Sequence, residues 1–158
     1  MSDGHTQEDT ALWQRRLASQ ANNRAWALAE LPERTADQDE EMLQAAHAAM
    51  YFWKIVGNPS NRAHAALLLA HVYALNNLPN PAKHYLKQCQ SVFLDRDCES
   101  WEKAFVHAIS ANVAAAAQET EEHMRHYQEA ERLIASLQDE EDRKILNATM
   151  RVIPAPLA

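Results

Sequence analysis

The chain has 158 residues, enough for one domain with a substantial apolar core, and its formal net charge at pH 7 is −7. This acidic balance argues against nucleic-acid binding, which depends on neutralising phosphates with lysine and arginine, and against docking on anionic membranes. Only two glycines occur in the chain. Because β-hairpin turns draw heavily on glycine, and abundant alanine favours helix, the composition predicts an all-α protein.

Hydropathy and cysteine usage predict where the protein is located. No apolar run approaches the roughly 20 residues that span a bilayer. The first segment, MSDGHTQEDTALWQRR, lacks the charged leader and apolar core of a secretory signal. The two cysteines have no Cys-x-x-Cys spacing, and Cys89 falls at a small-residue packing position. We therefore expect a soluble, cytoplasmic protein in which Cys89 is a buried thiol.

Apolar periodicity and capping residues predict three helices in the first half of the chain. The first runs from about residue 7 to 31 and ends before a proline. Its expected apolar stripe is Leu12, Leu17, Ala21, Ala25 and Leu28. The second begins at Thr35, where Gln38 completes a capping-box pattern, and ends at Gly57 as a left-handed cap. Ser60 or Asn61 is expected to cap the third, which reaches about residue 76.

Polar capping residues divide the second half into four further helices. Their predicted ranges are about 81–93, 99–118, 120–137 and 139–153. The residues expected to open them are Asn80, Asp97, Thr120 and Asp139. Short connections between seven helices indicate that consecutive helices pack antiparallel.

The third and fourth predicted helices carry large and small residues in a characteristic order. In chain order they are Leu69, Ala70, Tyr73, Ala82, Leu86 and Cys89. This hairpin resembles the tetratricopeptide repeat (TPR), and the run HAAMYFWKIVGNPSNRAHAALLLAHVYAL resembles small uncharacterised bacterial TPR-like proteins. The resemblance implies one domain, residues 1–158, with about seven antiparallel helices in an irregular right-handed α-α superhelix and helix 7 as its C-terminal cap. Aligning Ala82 with His123 reveals a weaker echo at an offset of 41 residues.

The same resemblance implies a binding groove lined by the first helix of each hairpin. His64, Leu67 and His71 on helix 3 and Asn112 on helix 5 are expected to face it, with Tyr51 as an aromatic residue at its rim. Because Leu67 and His71 stand where carboxylate-clamping TPR domains carry lysine or asparagine, a peptide or helix of mixed or apolar character is the expected ligand. Catalytic and phosphate-binding motifs are absent from the sequence. The expected function is a non-enzymatic interaction module with an unidentified protein partner and no cofactor.

The histidines of the chain suggest an alternative function. In a hairpin that turns around residues 57–60, His47 comes near His71, and His107 on the fifth helix lies at a similar level. Three converging imidazoles could bind zinc or another divalent ion, so the alternative is a small-ligand or metal-binding protein, possibly an enzyme. No His-Glu-x-x-His spacing supports it. Homo-oligomer assembly through exposed faces of helix 1 or helix 7 is a third possibility.

Overall fold

The computed structural model describes residues 6–93 and 98–157, and this part of the chain forms seven α-helices and no strand. The helices are α1 (Gln7–Ala29), α2 (Ala36–Val56), α3 (Pro59–Leu75), α4 (Pro79–Phe93), α5 (Ser100–Ala116), α6 (Thr120–Ser136) and α7 (Glu140–Met150). The predicted all-α fold is therefore confirmed. The right-handed superhelix and the kinship with TPR proteins stay predictions.

Side-chain caps fix the starts of the first helices. At α2 the Thr35 side chain accepts from the Gln38 backbone N–H, and the Gln38 side chain accepts from the Thr35 N–H at 2.9 Å, as the capping-box pattern predicted. At α3 the prediction is wrong. Asn58, not Ser60 or Asn61, is the N-cap, because its side-chain oxygen accepts from the Asn61 N–H at 2.8 Å and a proline takes the first helical position.

The later helices begin close to their predicted positions. α4 starts at Pro79, slightly earlier than a cap at Asn80 would give. α6 starts at Thr120 with Glu119 as its N-cap residue. Asp139 caps α7 as predicted, since its side chain accepts from the N–H three residues later.

The start of α5 is held by two glutamates. The Glu99 N–H donates to the Glu102 carboxylate at 3.2 Å, and α5 begins at Ser100. Asp97, the predicted cap, lies outside the described residues. The carboxylate of Glu102 is thereby placed at the first turn of α5, next to the cleft described below.

Gly57 ends α2 in a way that the sequence did not predict. Its backbone is extended (φ −87°, ψ 168°), so the predicted left-handed cap is wrong. A Cβ at this position would lie 2.5 Å from the Trp53 carbonyl oxygen and 2.9 Å from Asn61 Cβ. Glycine is therefore required by the close approach of the chain at the α2–α3 turn.

The turns after α3 and α5 are copies of each other. Asn77 (φ 56°) and Gln118 (φ 60°) are left-handed and lie 41 residues apart. In both turns the following residue donates its N–H at 2.9 Å to the carbonyl five positions earlier, Leu78 to Tyr73 and Glu119 to Ala114. These bonds form Schellman caps. The 41-residue echo in the sequence thus recurs in the geometry of the two turns.

The helices pack in two layers. α1, α3, α5 and α7 lie side by side in one layer, and each even-numbered helix packs against the odd-numbered helices before and after it. Three clusters of buried side chains fill the spaces between α1 and α3, between α3 and α5, and between α5 and α7. Cys89 is buried in the second cluster, as predicted, and burial raises its thiol pKa to about 12.

The buried face of α1 differs from the predicted stripe. Leu12 and Leu17 are exposed, whereas Ala25 and Leu28 are buried together with Ala18 and Ala29. Small side chains allow α2 and α3 to approach the alanine face of α1 closely. Leu12 and Leu17 lie outside this contact. Within the described ranges, no helix has both the length and the hydropathy needed to cross a bilayer.

Candidate aromatic cleft

A cleft of about 360 Å³ opens on the layer formed by the odd-numbered helices. Its wall is largely aromatic: Trp26 from α1, His64 from α3, and Trp101 and Phe105 from α5. Ile145 and Thr149 of α7 close its far side. We call this site the aromatic cleft. Four helices that are not consecutive in the chain therefore contribute to one site.

The aromatic rings contact one another in a fixed arrangement. Trp26 and Phe105 have ring centroids 5.7 Å apart at an interplanar angle of 60°. Trp101 and Phe105 are 6.2 Å apart with nearly perpendicular rings. His64 stacks on Trp101 at 5.5 Å and 9°. Offset and edge-to-face contacts between aromatic rings are favourable. The rings of Trp26, Phe105 and Trp101 thus border the cleft at steep angles, with His64 stacked on Trp101.

His64 is held from several sides. Its Nε2 lies 3.2 Å from the Glu102 carboxylate at the first turn of α5. The Phe93 ring meets the imidazole edge to face at 5.1 Å, while Trp101 covers the imidazole face. The imidazole is thus oriented by a carboxylate and two rings, and it presents a partly exposed edge to the cleft.

A buried hydrogen bond lies next to the cleft. His71 is 1% exposed, and its Nδ1 lies 3.0 Å from the side-chain amide nitrogen of Asn112, which is also buried. The Trp26 ring lies 5.6 Å from the imidazole. Burial, with a smaller contribution from the charge of Arg34, lowers the His71 pKa to about 3. The imidazole is therefore neutral at pH 7.

Two buried polar atoms around the cleft have no hydrogen-bond partner within the described ranges. They are His71 Nε2 and the Thr149 hydroxyl oxygen. Because Asn112 donates to Nδ1, the neutral imidazole carries its proton on Nε2. Thr149 is 1% exposed and lines the cleft directly. A buried unpaired polar group costs about 1–3 kcal/mol, so a bound group that reached the Thr149 hydroxyl would recover part of that cost.

The structure separates the residues that the sequence placed in one groove. His64 and Leu67 line the cleft, although Leu67 is almost fully buried. His71 and Asn112 are buried and bonded to each other, because α1 packs beside α3 and Trp26 lies against His71. His71 therefore does not line the aromatic cleft, and Asn112 lines a separate cavity that is described below.

Tyr51 lies on α2 and does not line the cleft. It is 62% exposed and packs edge to face on Phe52 at 5.4 Å. Trp26, Trp101 and Thr149 were missed in the sequence analysis. Trp101 precedes Phe105 by one helical turn, and this spacing could have placed it on the groove side of α5. No local sequence pattern marks Trp26 or Thr149 as a residue of the cleft.

The three histidines of the metal hypothesis do not converge. His47 Nε2 lies 2.6 Å from the Tyr73 hydroxyl. His71 is bonded to Asn112, and His107 Nδ1 lies 3.0 Å from His126 Nδ1. In residues 6–93 and 98–157, no three histidine, cysteine or acidic side chains are grouped as a metal site would need. The predicted cluster between helices 2, 3 and 5 is therefore not formed.

A larger cavity, about 580 Å³, lies between the C-terminal ends of α3 and α5 and the tail after α7. Its polar lining is already engaged at three places. Arg34 pairs with Asp39 at 2.7 Å, Asn112 bonds His71, and His123 lies 2.6 Å from the Pro154 carbonyl oxygen. The aromatic cleft, in contrast, contains the unpaired Thr149 hydroxyl. We therefore take the aromatic cleft as the candidate site.

Comparison of the chain with protein-family models, with curated proteins and with solved structures finds no match in any of the three.

Proposed function

We propose that the protein is a non-enzymatic interaction module that binds a peptide or helix of a partner protein through the aromatic cleft. The observation that supports this is the cluster of Trp26, Trp101 and Phe105 at one open site. Tryptophan and other aromatic residues dominate binding energy at protein interfaces when they line a pocket that excludes water.

The dimensions of the cleft indicate how a partner would engage it. A volume of about 360 Å³ is at the small end of ligand pockets. It accommodates one or two side chains and not a whole helix. The partner segment would therefore lie across the odd-numbered helices and insert one anchor side chain between the rings, with Ile145 at the rim contacting its backbone or neighbouring residues.

The test uses two matched isoleucines. Ile145 lines the cleft and is 48% exposed, whereas Ile55 on α2 is outside the cleft and is 49% exposed. Replacing either by glutamate adds the same charge at equal exposure, so neither change should prevent folding. Partners captured from lysate by the wild-type protein should be lost with Ile145→Glu and retained with Ile55→Glu, with circular dichroism verifying the helices. Equal capture by both variants would show that the cleft is not the binding site.

Self-association is a second candidate, favoured by exposed apolar residues at the start of α1. Leu12, Trp13 and Leu17 are all exposed there. A second copy packing on this surface would bury them. Light scattering over a concentration series should then give a dimer mass for the wild type and a monomer mass for a Trp13→Glu, Leu17→Glu variant. A monomer at every wild-type concentration would exclude this candidate.

The proposal includes a cytoplasmic location. Cys89 and Cys98 are both free thiols. Free thiols persist in reducing compartments, which fits this location.

A further inference from the structure

We infer that the anchor side chain which enters the aromatic cleft is a cation, the guanidinium of arginine or the ammonium of lysine in a bound protein segment. This inference rests on the proposed function and specifies the chemistry of the partner. It follows from three properties of the cleft: the faces of its rings, the sign of its charges and its unpaired hydroxyl group.

Three aromatic rings border the cleft at steep mutual angles. Trp26 meets Phe105 at 60°, and Phe105 meets Trp101 at 86°. The three rings therefore do not stack into one closed face but border a common space. A cation placed over aromatic faces is attracted by their quadrupoles, most strongly by tryptophan, and arginine is the residue found most often in such contacts.

The charged lining of the cleft is acidic. Glu30 lines the cleft and is exposed, and Glu102 lies behind His64. No lysine or arginine belongs to the lining among the described residues. Glu30 also ends α1, whose last turn contains no basic residue to offset the partial negative charge of its free carbonyls. The site therefore favours a positive group and disfavours a carboxylate.

The Thr149 hydroxyl supplies a hydrogen-bond acceptor at the α7 side. It is buried, lines the cleft and has no partner within the described ranges. A guanidinium carries five N–H donors and an ammonium carries three, so either cation satisfies this oxygen while its remaining donors reach water or the partner backbone. An apolar anchor would gain no such bond, so the hydroxyl favours a cation over an apolar side chain.

The experiment compares three small probes on protein labelled with ¹⁵N in its tryptophan side chains. N-acetyl-arginine amide, N-acetyl-lysine amide and N-acetyl-norleucine amide present a guanidinium, an ammonium and a neutral chain of similar length. The indole N–H signals of Trp26 and Trp101, assigned from single Trp→Phe variants, report binding. We expect the better of the two cations to bind about fivefold more tightly than norleucine amide, a ratio consistent with a partly desolvated cation–π contact. Added salt should reduce this ratio.

Matched glutamates test the charge contribution. Glu30→Gln should weaken binding of the cation about threefold and leave binding of norleucine amide unchanged, consistent with the size of a partly screened charge interaction. Glu131→Gln makes the same charge change on α6, away from the cleft, and should alter neither. Thr149→Val, which keeps the shape but removes the hydroxyl, should also weaken cation binding selectively.

The outcomes separate the two proposals. If norleucine amide binds as tightly as both cations, the inferred cation is wrong, while Ile145→Glu still decides whether the cleft binds partners. If none of the probes shifts either indole signal, the inference is likewise overturned. A cation preference that Glu30→Gln and Thr149→Val both reduce supports it.

Discussion

His71 and Asn112 are hydrogen-bonded across the α3–α5 interface at 3.0 Å, and they occupy equivalent positions 41 residues apart. The same spacing separates Asn77 from Gln118, the left-handed residues that end these two helices. His64 contacts Glu102 and His71 contacts Asn112, so α3 and α5 run parallel and in register. One consequence of that register is that two buried polar side chains satisfy each other in the layer next to the aromatic cleft.

Removing one side of this pair should destabilise the protein strongly. In Asn112→Leu, the buried His71 Nδ1 loses its partner. We expect the free energy of unfolding to fall by about 2–3 kcal/mol, the typical cost of an unsatisfied buried group. Urea unfolding measures this change. The His71→Leu, Asn112→Leu double variant should recover part of the loss, because it removes both polar groups. A double variant whose loss equals the sum of the single losses would show that the two side chains do not interact.

Acid should destabilise the fold through His71. Its pKa is about 3 in the folded protein and near 6.5 when exposed, so the unfolded chain binds the extra proton between these values. Stability from this group is therefore complete above pH 6.5 and is lost as the pH falls toward 3. At pH 5 the loss should be about 2 kcal/mol.

Urea unfolding of the wild type and of His71→Gln, each at pH 7 and pH 5, isolates this contribution. His47, His107 and His126 also have pKa values lowered by burial, and they are present in both proteins. The variant should lose less stability between the two pH values than the wild type. An equal loss would show that His71 is not buried in its neutral form.

Gln118→Gly should stabilise the protein. Gln118 is left-handed at φ 60°, a conformation that costs a side-chain-bearing residue about 1–2 kcal/mol and glycine almost nothing. We expect a gain of about 1 kcal/mol, visible as a higher thermal midpoint. Asn77→Gly at the equivalent position should give a smaller gain, since asparagine tolerates this conformation better. A loss of stability in Gln118→Gly would contradict the described turn.

Gly57→Ala should destabilise the protein for a steric reason. The added Cβ would meet the Trp53 carbonyl oxygen at 2.5 Å, a backbone atom that cannot move without distorting the end of α2. Overpacking of this kind costs about 1–3 kcal/mol. Unchanged unfolding of Gly57→Ala would mean that the α2–α3 turn is more open than described.

Local features of the fold could be predicted from the sequence, and long-range ones could not. The capping box of α2 depends only on Thr35 and Gln38, which are three positions apart, so it was predicted correctly. The exposure of Leu12 depends on where α2 and α3 contact α1, and no local pattern determines that. Gly57 shows the same limit, because its requirement comes from contact with Trp53 and Asn61 and not from its own backbone angles.

The candidate site was predicted only in part, for a related reason. His64 and Leu67, which the sequence placed in a binding groove, both line the cleft, because their spacing on α3 puts them on one face. His71 lies on the same face, yet it is covered because Trp26 reaches it from α1. Which helix covers which face is a property of the packed layer. The predicted cluster of His47, His71 and His107 is not formed for the same reason, since His47 contacts Tyr73 instead of His71.

The aromatic cleft receives side chains from α1 and α7, the first and last helices of the chain. In a stack whose helices contact mainly their neighbours, each end can unfold almost independently of the other. A ligand held between Trp26 and Thr149 would join those ends, so occupancy should convert gradual fraying of the termini into a single concerted transition. Backbone hydrogen exchange in α1 and in α7 would then slow together when a ligand fills the cleft. The bound partner would couple the unfolding of the first helix to that of the last.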